Sequence, residues 1–316
     1  MQGYTERIQE AARRLLVDKQ VDVVIGFRKG TIPLMNEPFL AKNVDQVRQL
    51  YWDGNCGMNL ANYLPKRTDR IGIVAKGCDS RNIVIHLLEY QIKREQLYIL
   101  GAPCRGMIDR RRILASLDGK DPSSAEEKDG VIKVVGSDFE VTLDRQEYLQ
   151  ENCTICIHRN PVIFDELLGE PVPEQQNVDR YPDVNQVEAM SPEQRWVYFE
   201  NLTKTCIRCY ACRNACPLCF CPTCFVDESR PQWVGKSIDP TDTRTFHFLR
   251  AYHVAGRCTD CGSCERSCPV GIKMRQFTKK MEKDIKELYG YEAGVIADQR
   301  PPLDTYRPDD PQQFIK

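Results

Sequence analysis

Cys206-Ile207-Arg208-Cys209-Tyr210-Ala211-Cys212-Arg213-Asn214-Ala215-Cys216-Pro217 and Cys258-Thr259-Asp260-Cys261-Gly262-Ser263-Cys264-Glu265-Arg266-Ser267-Cys268-Pro269 are two copies of one pattern, C-x2-C-x2-C-x3-C-P. Three thiolates at i, i+3 and i+6 on a tight loop can wrap one face of an iron-sulfur cube, and no local fourth residue reaches its far corner. The fourth cysteine, three residues further into a helical turn, therefore points to the other cube. This crossing puts Cys206, Cys209, Cys212 and Cys268 on one cube and Cys258, Cys261, Cys264 and Cys216 on the other. Pro217 and Pro269 fix φ and remove a backbone donor just after each crossing ligand, so the chain turns away there.

The run is the bacterial two-cluster ferredoxin pattern. Structural zinc also uses C-x2-C pairs, but a zinc site closes with four ligands and needs neither the third cysteine at +6 nor a repeated C-x3-C-P.

A chain of 316 residues has room for about two domains, each long enough to bury its own core. The 44 basic and 45 acidic residues leave a formal net charge of −1, which argues against a nucleic-acid-binding surface spread over the whole protein. The start, Met1 to Arg7, is polar and lacks an apolar signal core. No run approaches the ~20 apolar residues of a spanning helix. The expectation is a soluble protein of the cytoplasm, with no membrane span of its own. Sixteen cysteines in such a chain indicate a reducing compartment and metal rather than disulfides.

Residues 6–18 place Ile8, Ala11, Ala12, Leu15 and Leu16 on one helical stripe, with Thr5 as the expected N-cap. Val21 to Gly26 and, less strongly patterned, Glu37 to Ala41 read as strands. Asp45 to Tyr51 reads as helical, with a second helical piece from Cys56 to Pro65. Ile71 to Ala75 is an apolar strand, followed by a helix from about Arg81 to Tyr90 capped by Asp79 or Ser80, and Leu97 to Leu100 is another apolar strand. Strand, helix, strand in this order predicts a parallel pair with a right-handed crossover, covered on both faces. Cys78 and Cys104 then leave neighbouring strands at the same carboxyl edge, where open α/β sheets place their ligands.

A helix is expected near 109–117, a polar turn-rich segment over 118–130, and a hairpin from 131–135 and 139–143. Cys153 and Cys156 follow, and folding them back to the carboxyl edge completes a third [4Fe-4S] cluster with Cys78 and Cys104. The alternative is that Cys78 and Cys104 are merely buried small residues. Residues 159–190, rich in proline and acid, read as a linker draped over the surface. Ser191 and Gln194 stand at capping-box spacing with Pro192 at the first helical position, opening a helix that runs toward Cys206. Helices are also expected at 242–255 and 272–289, and the proline- and aspartate-rich stretch 290–316 reads as an extended arm that lies on a partner.

The fold class is thus an N-terminal α/β domain, 1–158, with a small parallel-containing sheet, and a mainly α-helical dicluster ferredoxin domain, 191–289. Cys56, Cys219, Cys221 and Cys224 are left over. A fourth cluster between the domains is one reading, and zinc shared with a partner or free thiols near the cubes are others. Cys56 could also replace a ligand of the third cluster.

No G-x-G-x-x-G or P-loop pattern occurs. His86, His158, His247 and His253 read as packing or surface residues, and no catalytic residue stands out. Lys76 and Arg81, near a helix N-terminus and a sheet edge, could cradle a flavin phosphate or simply neutralise a cluster.

At Lys76-Gly77-Cys78-Asp79, Gly101-Ala102-Pro103-Cys104 and Cys153-x2-Cys156 the N-terminal half resembles the beta-subunit family of coenzyme F420 hydrogenases and dehydrogenases. With the ferredoxin half, the chain is similar to the fused iron-sulfur subunits that accompany formate dehydrogenases, hydrogenases and heterodisulfide-reductase-type flavoproteins in anaerobes. The resemblance implies such subunits as partners, and members of the family use this half to hold FAD and reduce a deazaflavin or similar carrier. Residues 1–30 lack the glycine-rich, threonine-containing helix start associated with the flavin site. Two functions follow as expectations: a relay passing single electrons through three or four [4Fe-4S] clusters, or a flavin-containing subunit that itself exchanges electrons with F420, NAD(P) or a similar carrier.

The charges add one expectation. Arg208, Lys204 and Arg213 flank the first motif and Asp260 and Glu265 the second, so the first motif's cluster is expected to have the higher potential.

Overall fold

The computed structural model describes residues 3–304. Helix α1 (Tyr4–Val17) buries Ile8, Ala11, Ala12 and Leu15, the predicted stripe. It starts at Gly3, whose φ of 81° needs no side-chain cap, and not at Thr5. The Thr5 hydroxyl instead accepts from the Trp52 N–H at 3.1 Å, tying α1 to a distant loop.

Strands β1 (Val23–Lys29), β2 (Asn36–Ala41), β3 (Ile71–Ala75) and β4 (Leu97–Gly101) belong to one sheet ordered β2-β1-β3-β4 with a short fifth strand beyond β4. β2 is antiparallel to β1, whereas β1, β3 and β4 run parallel. β3 is buried throughout, as a continuous apolar run covered on both faces must be. The expected helix over 45–51 shrinks to α2 (Val44–Val47), capped by Asn43. Tyr51 N–H donates to Phe27 O at 2.8 Å and Leu50 bridges to Arg28, so backbone pairing along β1 outcompetes the helix. Leu60–Tyr63 forms a single 3-10 turn within the second piece expected to be helical.

Helix α3 (Gly77–Leu88) begins four residues before the expected Arg81. Asp79 is not the cap but the third helical residue, reaching back to accept from Lys76 N–H at 2.9 Å. Cys78 therefore sits in the first turn, at the positive end of the helix dipole. After β4 come α4 (Arg110–Ser116), β5 (Pro122–Lys128), β6 (Val131–Gly136) and β7 (Glu140–Asp144). The hairpin β6-β7 is as expected, but the polar stretch before it is a third strand, paired with Glu127 opposite Ile132. Asp129 and Gly130, at φ 50° and 83°, form its turn, an Asp-Gly signal that was legible in the sequence.

α5 (Glu151–Thr154) presents Cys153, and β8 (Glu166–Leu167) joins the main sheet beside β4. Residues 159–190 are therefore more than a surface linker. α6 (Pro182–Glu188) packs on the last helix, where Lys280 and Lys283 both reach Glu188. α7 (Pro192–Thr203) opens with the Ser191/Gln194 capping box, and α8 (Ala211–Asn214), α9 (Pro240–His253), α10 (Ser263–Arg266) and α11 (Arg275–Tyr289) follow. Phe199 meets Phe277 edge-on at 5.2 Å, joining α7 to α11.

The two halves share a core: Ile85 of α3 packs with Leu218, Val254, Ile285, Tyr291 and Ala293. Residues 290–304, expected as an extended arm, fold back on the chain itself, with Tyr291 and Ala293 buried and Glu292 paired to His158 at 2.5 Å and Arg180 at 2.8 Å. The rest of that segment lies outside the described residues. Among the described residues no helix is long and apolar enough to cross a membrane.

Candidate metal centres

The two cysteine motifs adopt one backbone shape. Arg208 and Tyr210 have φ of 51° and 58°, and the equivalent Asp260 and Gly262 have 55° and 73°. Each loop then enters a four-residue helix, α8 or α10. Three of these four left-handed residues carry side chains, a conformation that costs roughly 1 kcal/mol or more each and turns successive N–H groups inward, as an anion-binding nest does. In the first loop the Arg208 N–H donates to Cys206 Sγ at 3.4 Å, and Ile272 N–H donates to Cys268 Sγ at 3.4 Å. His247 Nε2 lies 3.3 Å from Cys206 Sγ. Burial and the nearby Arg250 and Arg208 push this imidazole down to about 4, so it is neutral and can donate. Cys206, Cys212 and Cys268 gather with Val226, Phe246, Ile272 and Met274, while Cys209 is exposed.

Cys216, Cys258, Cys261 and Cys264 line one internal cavity with Arg250, Arg275 and Thr278. Burial, with Asp260 nearby, pushes the Cys258 thiol up to about 12. Arg250 is buried beside both motifs, donating to Cys212 O at 3.1 Å and approaching Met274 Sδ at 3.8 Å. Its pKa is raised: burial works against the charge, but the sulfurs of Cys216, Cys264, Cys212 and Cys219 outweigh it.

Cys78, Cys104, Cys153 and Cys156 line a second cavity, at the carboxyl ends of β3 and β4. Gly106 N–H donates to Cys104 Sγ and Met107 N–H to Cys153 Sγ, both at 3.3 Å. Burial pushes Cys104 up to about 12 and Cys156 up to about 11, with Cys153 adding to both. A side chain at Gly77 would put its Cβ 2.1 Å from His158 O, so only glycine lets the Cys156 segment approach α3 this closely. Thr259, Asp260 and Cys261 line both cavities, so one turn of the second motif is the wall between them.

The leftover cysteines lie in different settings. Cys56 is fully buried in the N-terminal core, its Sγ accepting from Asn36 Nδ2 at 3.3 Å and from Asp53 N–H at 3.4 Å. Cys219 lies beside Cys216, and the pair pushes the Cys216 thiol up and the Cys219 thiol down. Cys221 is exposed, and Cys224 packs with Phe225 and Phe246. Lys76 and Arg81 are engaged too. Lys76 Nζ pairs with Asp79 at 2.7 Å and donates to Met58 O at 3.1 Å. Arg81 Nε donates to Ala293 O at 2.9 Å, and its Nη2 lies 3.5 Å from Glu292. A flavin phosphate would have to displace these partners.

All sixteen cysteines are free thiols. Among the described residues no three Cys, His, Asp or Glu side chains converge closely enough to hold a single ion. This donor set fits an iron-sulfur cube. Thiols held neutral by burial would release their protons to solvent on binding a cationic core, and N–H groups aimed at sulfur stabilise the resulting thiolates. The buried arginines and the wall residues were missed by sequence reasoning, which carries no signal for where a charge is buried.

Residues 203–272 match the family described as 4Fe-4S dicluster domain. Over 102 residues, 32% of its length, the chain is 34% identical to the F420-dependent formate dehydrogenase subunit beta of Methanocaldococcus jannaschii, and the match spans 26% of that relative. The F420-dependent formate dehydrogenase 1 subunit beta of Methanococcus maripaludis is 25% identical over 92% of this chain and 90% of its own length. Among solved structures, the F420-reducing [NiFe] hydrogenase complex from Methanosarcina barkeri aligns with a TM-score of 0.37 and 15% identity, over 49% of this chain and 59% of that one. The resemblance read from the N-terminal motifs and the ferredoxin run is thus met by curated relatives.

Proposed function

We propose that the chain is an electron-transfer subunit of an oxidoreductase complex in a reducing cellular compartment. Its ligand sets are Cys206, Cys209, Cys212 and Cys268; Cys258, Cys261, Cys264 and Cys216; and Cys78, Cys104, Cys153 and Cys156. Bound [4Fe-4S] clusters supply one-electron chemistry. The protein's own residues hold, insulate and tune them. The observation that carries this reading is the shared wall: Cys261 lines the cavity of its own motif and also that of Cys78 and Cys104. The second set is therefore the middle station, in contact on one side with the N-terminal set and on the other with the first motif. The N-terminal α/β unit, the helical dicluster unit and the C-terminal segment act together, with formate dehydrogenase- or hydrogenase-type subunits as donor or acceptor.

A second reading, a flavin-holding subunit that itself serves F420 or a similar carrier, is favoured by the F420 dependence of the two relatives. It has Lys76 and Arg81 against it, because both are already committed. Anaerobic iron, sulfide and flavin analysis of the full chain separates the two. About twelve irons and no flavin support the relay, and Cys104→Ser should then remove about four. One flavin per chain would favour the second reading. About sixteen irons would support the relay with a fourth cluster that uses Cys56, Cys219, Cys221 and Cys224.

A further inference from the structure

We infer that Arg266, carried by the second cysteine motif, is the positive charge that sets the reduction potential of the iron-sulfur centre held by Cys78, Cys104, Cys153 and Cys156. This rests on the proposed ligand set for that site and goes beyond it, because it assigns the tuning group to the other half of the chain.

Arg266 is the last residue of α10, two positions after Cys264. Its side chain does not stay with its own motif. It lines the cavity of the N-terminal thiols. The guanidinium lies flat against Gly57, where an added Cβ would come 1.3 Å from Nη1 and 1.7 Å from Cζ. A glycine at 57 is what makes room for it.

Of the other cations lining this cavity, Arg159 makes no ion pair among the described residues and has a buried Nε without a hydrogen-bond partner, and the rest are paired. Lys76 pairs with Asp79, Arg81 and Arg180 with Glu292, and Lys279 with Asp260 and Glu282. Among the described residues Arg266 makes no ion pair, and its buried Nε has no hydrogen-bond partner. The nearby Asp109 carboxylate is used elsewhere, accepting from Arg111 N–H at 3.0 Å and Arg112 N–H at 3.3 Å to cap α4. Enclosing a bare guanidinium costs several kcal/mol unless negative charge faces it. Five cysteines, Cys78, Cys104, Cys153, Cys156 and Cys261, line the same cavity, and the charges that bear most on Arg266 are those of Cys153, Asp109, Cys78 and Cys56. Four thiolates around an iron-sulfur core carry net negative charge, and reduction adds one more electron to it. A fixed cation there favours the reduced form.

The consequence is a site completed by docking. The charge arrives on the loop that also carries Cys261 and Cys264, so the N-terminal centre acquires its working potential only when the dicluster half is seated against it.

The test is a redox titration of the anaerobic full-length chain, followed by electron paramagnetic resonance, with iron content measured in parallel. The N-terminal centre is identified as the signal lost in Cys104→Ser; if that variant keeps all its iron and every signal, the ligand assignment itself fails, whatever Arg266 does. Arg266→Gln should make that one centre about tenfold harder to reduce at a given potential, a fall of about 59 mV, with the other midpoints unmoved. Arg266→Lys should recover most of the shift. Gly57→Ala, which displaces the guanidinium but keeps the charge, should give a smaller fall. An unmoved N-terminal midpoint in Arg266→Gln, or an equal shift at every centre, overturns the inference. Should Arg266→Gln lose the N-terminal iron, Arg266→Lys decides: retained iron supports a charge role, and loss overturns it.

Discussion

Arg275 grips Asp260 through two hydrogen bonds, Nε to Oδ1 at 2.6 Å and Nη2 to Oδ2 at 2.9 Å, and Lys279 adds a third at 3.1 Å. The acid between Cys258 and Cys261 is therefore neutralised where it stands. Burial would raise its pKa, but Arg275 and Lys279 hold it well below the ordinary carboxylate range. Arg208, in the first motif, spends its guanidinium on Gly235 O and Ser237 O, both at 2.6 Å, and faces Asp242 at 3.8 Å. Of the five charges behind the sequence-based ordering of the two potentials, Asp260 is thus cancelled by neighbours that the motif's own spacing does not show. Arg275→Gln leaves Asp260 with Lys279 alone and should cost about 3 kcal/mol, the lower end for breaking a buried pair. Chemical unfolding under anaerobic conditions checks this; an unchanged midpoint would mean the Asp260 network contributes nothing net.

Arg250 is the charge that does face both motifs, sitting against Cys212 O with the sulfurs of Cys216 and Cys264 close by. Arg250→Met should lower the midpoints of both dicluster centres together, each by about 59 mV for a tenfold change in reduced population. The N-terminal centre should stay put. A shift confined to one dicluster signal would show that the guanidinium serves a single site.

His86 Nε2 lies 2.8 Å from Pro217 O, joining α3 to the end of the first motif. Burial, aided by Arg257, pushes the imidazole down to about 4 despite that bond. It is neutral in the folded chain, so its Nε2–H donates to the carbonyl. An unfolded histidine titrates near 6.5. Between there and pH 4 the unfolded state binds the proton and the folded state does not, so stability falls as pH falls through that window. The loss reaches roughly 3 kcal/mol at its lower end. Unfolding midpoints at pH 7 and pH 5 should differ in the wild type, and less so in His86→Gln.

Glu292 brings the C-terminal segment onto the N-terminal cavity through His158 at 2.5 Å and Arg180 at 2.8 Å. Burial alone would raise its pKa, but the hydrogen bonds from His158 and Arg180 and the charge of Arg81 hold it well below the ordinary value. Its contribution is present above about pH 4.5, the ordinary glutamate range, and fades as pH drops below it. Glu292→Gln should destabilise the chain by a few kcal/mol, on the order expected when a buried ion pair loses one partner. Faster proteolysis after residue 289 is the accompanying readout, and a variant as resistant as the wild type would refute the docking role.

The cysteine motifs, the parallel strands ending at Cys78 and Cys104, the Ser191 capping box and the stripe of α1 were all legible in the chain. They depend on spacing over a few residues, where covalent geometry and the helix and strand periods leave little freedom. Misreadings had two sources, a local preference overridden by a distant partner and an Asp-Gly turn passed over. Residues 45–51 gave up a helix to pair with β1, and residues 122–128, polar enough to look like a loop, became a strand against β6.

Sequence by itself determined what this protein is able to hold: thiol donors in the number and spacing of a dicluster domain, and two further cysteines at one sheet edge. Only the tertiary structure decided how those sites relate. That Cys261 walls two cavities, that Asp260 is cancelled by Arg275 and that Arg266 crosses to Gly57 are outcomes of packing between segments far apart in the chain. Charge acts through space and depends on burial, so a count of charges along the chain cannot say which of them a bound centre would feel.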